Sequence, residues 1–322
     1  MNKENRKIEE KSREKNFMSA VIYVHNAAER IEAFLRTVIK VMEDNFEHSE
    51  IICVNDDSSD DSVALIKRVS KEAVHTSVSI LNMSYFHGLE VAMNAGVDLS
   101  IGDFVLEFDS TELDFEADEI MRVYRKSLEG YDIVSASPDG RQRASSKAFY
   151  FIFNQFADYS YQMRTERFRV LSRRVINRIS SMNKTVPYRK AVYANCGLKT
   201  NNIKYTVAGD TAKRKHDRRE KKYRQDLAVD TLILFTEIGY HFSITMTVIM
   251  MLVAVLVAAY SVVIYLLSTP VAGWTTTIFF MAFAFFGLFG ILTIIIKYLQ
   301  ILVDLVFKRK KYSFESIEKL TK

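Results

Sequence analysis

The chain has 322 residues, 48% of them hydrophobic, a formal net charge of +5 and two cysteines. Cys53 and Cys196 stand alone with no Cys-x-x-Cys spacing, which argues against a disulfide framework or a zinc cluster. The positive excess is gathered into two short runs, Lys213 to Arg224 and Lys308 to Lys311, a pattern that suits anionic lipid headgroups better than nucleic acid.

Met1 to Lys15 is charged and polar and has no apolar core of the kind a signal peptide needs, so residues 1–18 are expected to form a loose arm. From Ser19 the pattern alternates. Ala20 to Val24 predicts a strand. Ala28 to Val41 predicts an amphipathic helix, with Ile31, Phe34, Leu35, Val38, Ile39 and Met42 on one face. Strands are expected at Ile51 to Val54, Val78 to Leu81, Phe104 to Phe108 and Tyr131 to Ala136, and helices at Ser62 to Lys71, Leu89 to Leu99 and Ala117 to Leu128. Such alternation implies right-handed βαβ units, hence an α/β fold with a mostly parallel, Rossmann-like sheet. Ligands of such sheets bind at the carboxyl ends of the strands. That rule directs attention to the turns after Val24, Val54 and Phe108.

The second turn, Asn55 to Ser62, is dense in carboxylates. Helix capping accounts for Asp60, Asp61 and Ser62 but not for Asp56 and Asp57 at the strand end. The third turn carries Asp109 at the end of a buried strand, where it could meet a diphosphate through a hard divalent cation such as Mg²⁺ or Mn²⁺.

Further on, the aromatic stretch Ala148 to Tyr161 reads either as an interfacial segment or as a core helix. Arg173, Arg174 and Arg178 read as a solvated helix face, and Leu227 to Tyr240 as an amphipathic segment. Between His241 and Lys297 there is no Asp, Glu, Lys or Arg, and Ser268 to Gly273 breaks the run. Crossing a bilayer takes about 20 apolar residues in a helix, so Phe242 to Leu267 and Trp274 to Ile296 predict two transmembrane helices. Basic flanks place both termini on the cytoplasmic side of the plasma membrane. The expected organisation is therefore an arm (1–18), an α/β domain (19–226), a juxtamembrane helix (227–241), a helical hairpin (242–300) and a basic tail (301–322).

Five segments in this order carry a resemblance: Ala20 to Asn26, Val54 to Asp60, Asn94-Ala95-Gly96 with Gly102-Asp103, the strand into Asp109, and Phe168-Arg169-Val170-Leu171-Ser172-Arg173-Arg174. Lys222-Tyr223 and the two-helix pattern follow them. The chain resembles the family 2 glycosyltransferases of GT-A fold, and within them the polyprenyl-phosphate sugar transferases, from about Ser19 to its C-terminus. The resemblance implies that Asp56, with Asp57 and Asn26, meets the nucleotide, and that Asp109 meets the diphosphate and a Mg²⁺ or Mn²⁺ ion. It further implies that Arg141, Arg143 and Lys222 receive the acceptor phosphate, with Arg169 as a further candidate there, and that Asp109 and Arg169 are the catalytic residues. Guanidinium groups suit phosphate because their fork of donors matches its oxygens. The implied reaction is an in-line displacement from a nucleotide sugar by a lipid phosphate. Homo-oligomers are implied as well.

The sequence departs from the pattern at several positions. Tyr23 and Ala27 replace Pro and Glu, Asn55 replaces the first acidic residue of the nucleotide turn, and Phe86-His87-Gly88-Leu89 stands for Asn-Phe-Gly-Lys. The Asp-x-Asp metal motif becomes Asp109-Ser110-Thr111, with Glu107, Glu112 and Asp114 as nearby carboxylates that could compensate. His87, beside a glycine, reads as structural. A second reading is therefore carried forward, a catalytically degenerate membrane subunit that binds nucleotide or a partner enzyme. A processive polysaccharide synthase is disfavoured, because no Gln-x-x-Arg-Trp segment occurs and the single Trp274 lies in the hairpin.

Overall fold

The strand β1 (Met18–Val24) is buried at every position, as an apolar run must be when both faces of a sheet are covered. It pairs in parallel with β2 (Ser49–Asn55) on one side and β4 (Phe104–Phe108) on the other, and β2 pairs in parallel with β3 (Ser77–Met83). In this computed structural model the described residues are 13–140, 144–156, 163–181, 188–208, 218–235 and 314–321, together with isolated positions between 245 and 302. Helices α1 (Ala28–Asn45), α2 (Ser62–Val69, continued by a 3₁₀ turn over Ser70–Glu72) and α3 (Leu89–Leu99) connect these strands. Helix α4 (Asp118–Leu128) leads from β4 to β5 (Ile133–Asp139), and α5 (Ala144–Phe156) follows. The chain continues through β6 (Phe168–Ser172), α6 (Arg173–Ser181), α7 (Arg189–Asn195), β7 (Thr200–Thr206), α8 (Arg218–Phe235) and β8 (Phe314–Lys319).

These strands form one sheet in the order β7-β5-β6-β4-β1-β2-β3-β8. Strand β6 lies antiparallel between β4 and β5, and β8 lies antiparallel on the β3 edge. The winding reverses direction between β1 and β4. A crevice opens at such a reversal, outside the carboxyl ends of the strands.

Successive side chains of a strand point to opposite faces, and the core divides accordingly. Ala20, Ile22 and Val24 pack with the buried face of α1, from Ile31 to Met42, and with α2 and α4. Val21 and Tyr23 pack with Ile52, Val54 and the Ala92-Met93 side of α3. Gly96 lets α3 approach closely, since a Cβ there would lie 2.5 Å from Val21 Cγ1 and 2.6 Å from Val54 Cγ2. Gly96→Ala is therefore expected to cost about 1–3 kcal/mol through overpacking, read as a lower urea midpoint with an unchanged slope.

The sequence-based elements up to β5 match the structure to within a few residues. The ends differ. Residues 13–18 belong to the fold rather than to a loose arm: Glu14 exchanges backbone hydrogen bonds with Asn45 and Glu47, and Phe17 O accepts from Asp103 N at 2.8 Å. Backbone pairing fixes this segment, and its side-chain composition carries no trace of it. Helix α8 runs through the expected 226/227 boundary. Part of the expected basic tail is β8, and just after it Leu320 N donates to Val78 O at 2.9 Å.

The chain divides into two compact units, one holding the sheet and a second made of 152–158 and 226–309. Most of the expected spans Phe242 to Leu267 and Trp274 to Ile296 lies outside the described residues, and among the described residues no helix is long and apolar enough to cross a membrane. Described positions of the second unit that are exposed include Ile249, Leu252 and Leu256, and Leu288, Leu292, Ile295, Leu299 and Leu302.

Candidate functional site

The turn after β1 is held by the turn after β2. Asn26 takes a left-handed backbone (φ 46°), a conformation that Asn tolerates better than most residues, and its Oδ1 accepts from Ser59 N at 2.9 Å. Ala27 N donates to Ser62 Oγ at 2.8 Å and Ala28 N to Asp60 Oδ2 at 2.9 Å, so Asp60 and Ser62 cap the start of α1 across the turn. Asp57, also left-handed (φ 54°), stays at the surface with Arg219 Nη1 3.9 Å from its carboxylate.

Asp56 is fully buried. Its Oδ1 accepts from His87 N at 2.8 Å, and its Oδ2 accepts from Gly88 N at 2.8 Å and from the Tyr23 hydroxyl at 3.0 Å. Burial raises its pKa, with these hydrogen bonds acting in the opposite direction. Both oxygens are committed to the protein, so Asp56 fixes the 86–88 loop instead of presenting a free carboxylate to a nucleotide base. The Tyr23 replacement now has a role, because its hydroxyl is one of the three donors. Gly88 has φ 83°, and a Cβ there would meet the Tyr223 ring at 2.3–2.7 Å. Tyr223 thus rests directly on the loop, and its hydroxyl accepts from Glu90 N at 3.4 Å. Its neighbour Lys222 is exposed. Tyr85 is exposed and stacks on His87 with ring centroids 4.0 Å apart.

At the end of β4 lies a buried ionic network. Asp109 Oδ2 accepts from Arg169 Nη2 at 2.6 Å and Oδ1 from Arg189 Nη2 at 2.7 Å. The same two guanidinium groups divide Glu107, with Arg169 Nη1 2.6 Å from Oε2 and Arg189 Nη1 2.7 Å from Oε1. Tyr193 donates to Glu107 Oε1 at 2.9 Å, Arg189 Nε to Glu90 Oε2 at 3.1 Å, and Arg169 Nε to Glu166 Oε2 at 3.3 Å. Both arginines are 1% exposed. Burial alone would raise the Asp109 pKa, but the Arg169 and Arg189 charges outweigh it and hold the carboxyl below its usual range. The carboxylates in turn push both guanidinium pKa values up.

The two acidic strand tips share one end of the sheet, with β1 between them. A continuous path joins them: Asp109 to Arg189, Arg189 to Glu90, Glu90 to Tyr223, Tyr223 against Gly88, and Gly88 to Asp56.

Several expected roles change. As a metal ligand, Asp109 does not fit the structure, because each of its oxygens already faces a guanidinium. A divalent ion at ligand distance would sit within about 5 Å of two fixed positive charges, a repulsion of several kcal/mol even at an effective dielectric of about 20. No neighbouring carboxylate compensates. Glu107 is shared by the two arginines, Asp114 binds Arg167 and the Tyr205 hydroxyl, and Glu112 pairs with Arg167 Nη1 at 2.7 Å. Among the described residues no group of three or more His, Cys, Asp or Glu side chains is arranged to hold a metal ion. Arg169 is too buried to reach an acceptor and serves as a counter-ion. Arg141 and Arg143 lie outside the described residues. Arg173 is half-buried, its Nε donating to Gly102 O at 2.8 Å, whereas Arg174 and Arg178 are exposed. Cys53 and Cys196 are free and buried, and burial pushes the Cys53 thiol up to about 12.

Sequence reasoning missed Arg189. A signal existed, because Glu107 occupies a buried strand between Leu106 and Phe108, and a buried carboxylate requires a cation. Arg169 supplied one answer and concealed the need for a second.

The family model described as Glycosyl transferase family 2 matches residues 19–183. An uncharacterized glycosyltransferase, sll0501, of Synechocystis is 28% identical over 188 residues, covering 56% of this chain and 58% of that protein. A prophage bactoprenol glucosyl transferase homolog of Escherichia coli is 29% identical over 205 residues, covering 60% of this chain and 66% of that protein. The chain thus spans less than two thirds of the length of these relatives. Among solved structures, the mannosyltransferase PcManGT from Pyrobaculum calidifontis in complex with GDP-Man and Mn²⁺ aligns at 12% identity with a TM-score of 0.49, covering 68% of this chain and 63% of that one.

Proposed function

Since the chain belongs to glycosyl transferase family 2, we propose that it transfers a sugar from a UDP- or GDP-sugar to a polyprenyl phosphate, using a nucleotide site at the carboxyl ends of β1, β2 and β4. The observation that carries this reading is the convergence of the β2 and β4 tips on the winding reversal, joined by the path from Asp109 to Asp56. In this reading Asp57 and Asn26 meet the nucleotide, while Asp56 acts at one remove by fixing the 86–88 loop.

A phosphate monoester is already anionic at neutral pH, so the acceptor needs no strong general base. The protein's task is to position two anionic substrates and to offset charge on the leaving diphosphate. Lys222 is the described cation assigned to the acceptor, with Arg141 and Arg143 as further candidates from the sequence. Mg²⁺ or Mn²⁺ enters no step of this reading, because the donors around Asp109 are already committed.

Three features support placement at the cytosolic face of the plasma membrane: the uncharged run 242–296, its basic flanks and the large apolar side chains exposed among the described residues of the second unit. Strand β8 adds a topological argument. It returns to the sheet that α8 left, so any passage through a bilayer between 235 and 314 is made an even number of times. In this reading anionic lipids meet the basic flanks and the protein forms homo-oligomers.

Membranes containing the full chain, given radiolabelled nucleotide sugars and a polyprenyl phosphate, are expected to yield labelled lipid. Lys222→Ala should lower the yield about tenfold, the scale of one lost charge-assisted hydrogen bond, without altering thermal stability. The saturation of Asp109 by two arginines favours the second reading, a non-catalytic nucleotide-binding subunit. That reading prevails if no donor labels lipid while a nucleotide still raises the melting temperature.

A further inference from the structure

We infer that the Arg169–Arg189 pair takes the place of a divalent cation at the end of β4, so that the site takes up neither Mg²⁺ nor Mn²⁺ and binds a nucleoside diphosphate without one. The nucleotide half of this inference rests on the proposed function, and the cation half stands on geometry alone. Asp109 faces a guanidinium nitrogen at 2.6 and 2.7 Å, one on each oxygen. The next potential ligand along the turn, at position 111, is a buried threonine.

The pair cannot easily swing aside. Both guanidinium groups also share Glu107, so releasing one from Asp109 disturbs a second buried carboxylate. Two guanidinium groups against Asp109 and Glu107 sum to zero charge, as a divalent ion between two carboxylates would. Each guanidinium is held by a third carboxylate as well, Arg189 by Glu90 and Arg169 by Glu166. Ser110 fits the same picture, since its hydroxyl oxygen is buried with no hydrogen-bond partner among the described residues. A ligand such as a phosphate oxygen would satisfy it.

Two measurements on the detergent-solubilised full chain test the inference. In the first, Mn²⁺ is titrated and free ion is followed by electron paramagnetic resonance, comparing the unmodified protein with Asp109→Asn. No uptake, or equal uptake by both proteins, is expected. Uptake of about one ion per chain that disappears in Asp109→Asn, with the variant shown by its melting curve to be folded, would overturn the inference. In the second, the melting-temperature shift produced by UDP or GDP is compared in EDTA and in Mn²⁺. Equal shifts are expected, and a shift that requires Mn²⁺ would overturn the inference. Absence of any shift under both conditions removes the nucleotide reading and with it the second half of the inference, while the resonance titration still decides the first.

Discussion

Arg189→Met is expected to destabilise the sheet unit by about 3–5 kcal/mol, the cost of removing one partner from a buried ionic network. Arg189 donates to Glu90, Glu107 and Asp109 at once, from a side chain 1% exposed. Methionine fills similar volume but leaves three carboxylates short of a cation. Arg189→Lys keeps the charge but lacks the planar fork that reaches several oxygens, and should recover only part of the loss. Urea denaturation at neutral pH measures both effects.

The pH dependence of the deficit has a definite sign. The Asp109 pKa is lower in the folded protein than in the unfolded chain, so its contribution to stability is fully present above the unfolded value of about 4. It is lost as pH falls toward the folded value. The deficit of Arg189→Met should therefore be largest at pH 7 and shrink below about pH 4, where the contribution of Asp109 to the unmodified protein is lost. A deficit that did not change with pH would assign the loss to packing rather than to charge.

Gly88→Val should cost about 3–5 kcal/mol for two independent reasons. A β-branched residue is strained by about 1–3 kcal/mol at φ 83°, and its Cβ would lie 2.3–2.7 Å from three carbons of the Tyr223 ring, an overpacking of similar cost. The two causes separate in a double-mutant cycle. Tyr223→Ala should relieve the steric part of Gly88→Val and leave the backbone part, giving a coupling of about 1–3 kcal/mol. Purely additive effects would show that Tyr223 does not rest on the loop. Because Gly88 N is one of the donors to Asp56, the variant should also lower any nucleotide-induced rise in melting temperature.

The β1 to β5 region was legible in the sequence because each element carries its own periodicity. Leu89 to Leu99 and Phe104 to Phe108 were located without error, since a buried stripe or a buried apolar run leaves a local record. Strand β8 left a weak one: Phe314 to Lys319 is short and half charged, and its partner β3 lies more than 200 residues away. Among the site residues, Asp56 and Asp109 were correctly placed at strand tips, but what their oxygens touch was not. The donors to Asp56 come from the 86–88 loop and from Tyr23 on β1, and the donors to Asp109 from β6 and α7.

By itself the sequence determined the order of strands and helices, the carboxyl-end location of the acidic turns and the uncharged run near the C-terminus, because all three are written in neighbouring residues. Only the tertiary structure decided that Arg189 and Arg169 converge on Asp109 and Glu107, that Tyr223 lies against Gly88, and that the C-terminal strand rejoins the sheet. These are contacts between segments distant in sequence, and charge pairing across such distances depends on where the backbone brings the side chains rather than on the pattern around each one.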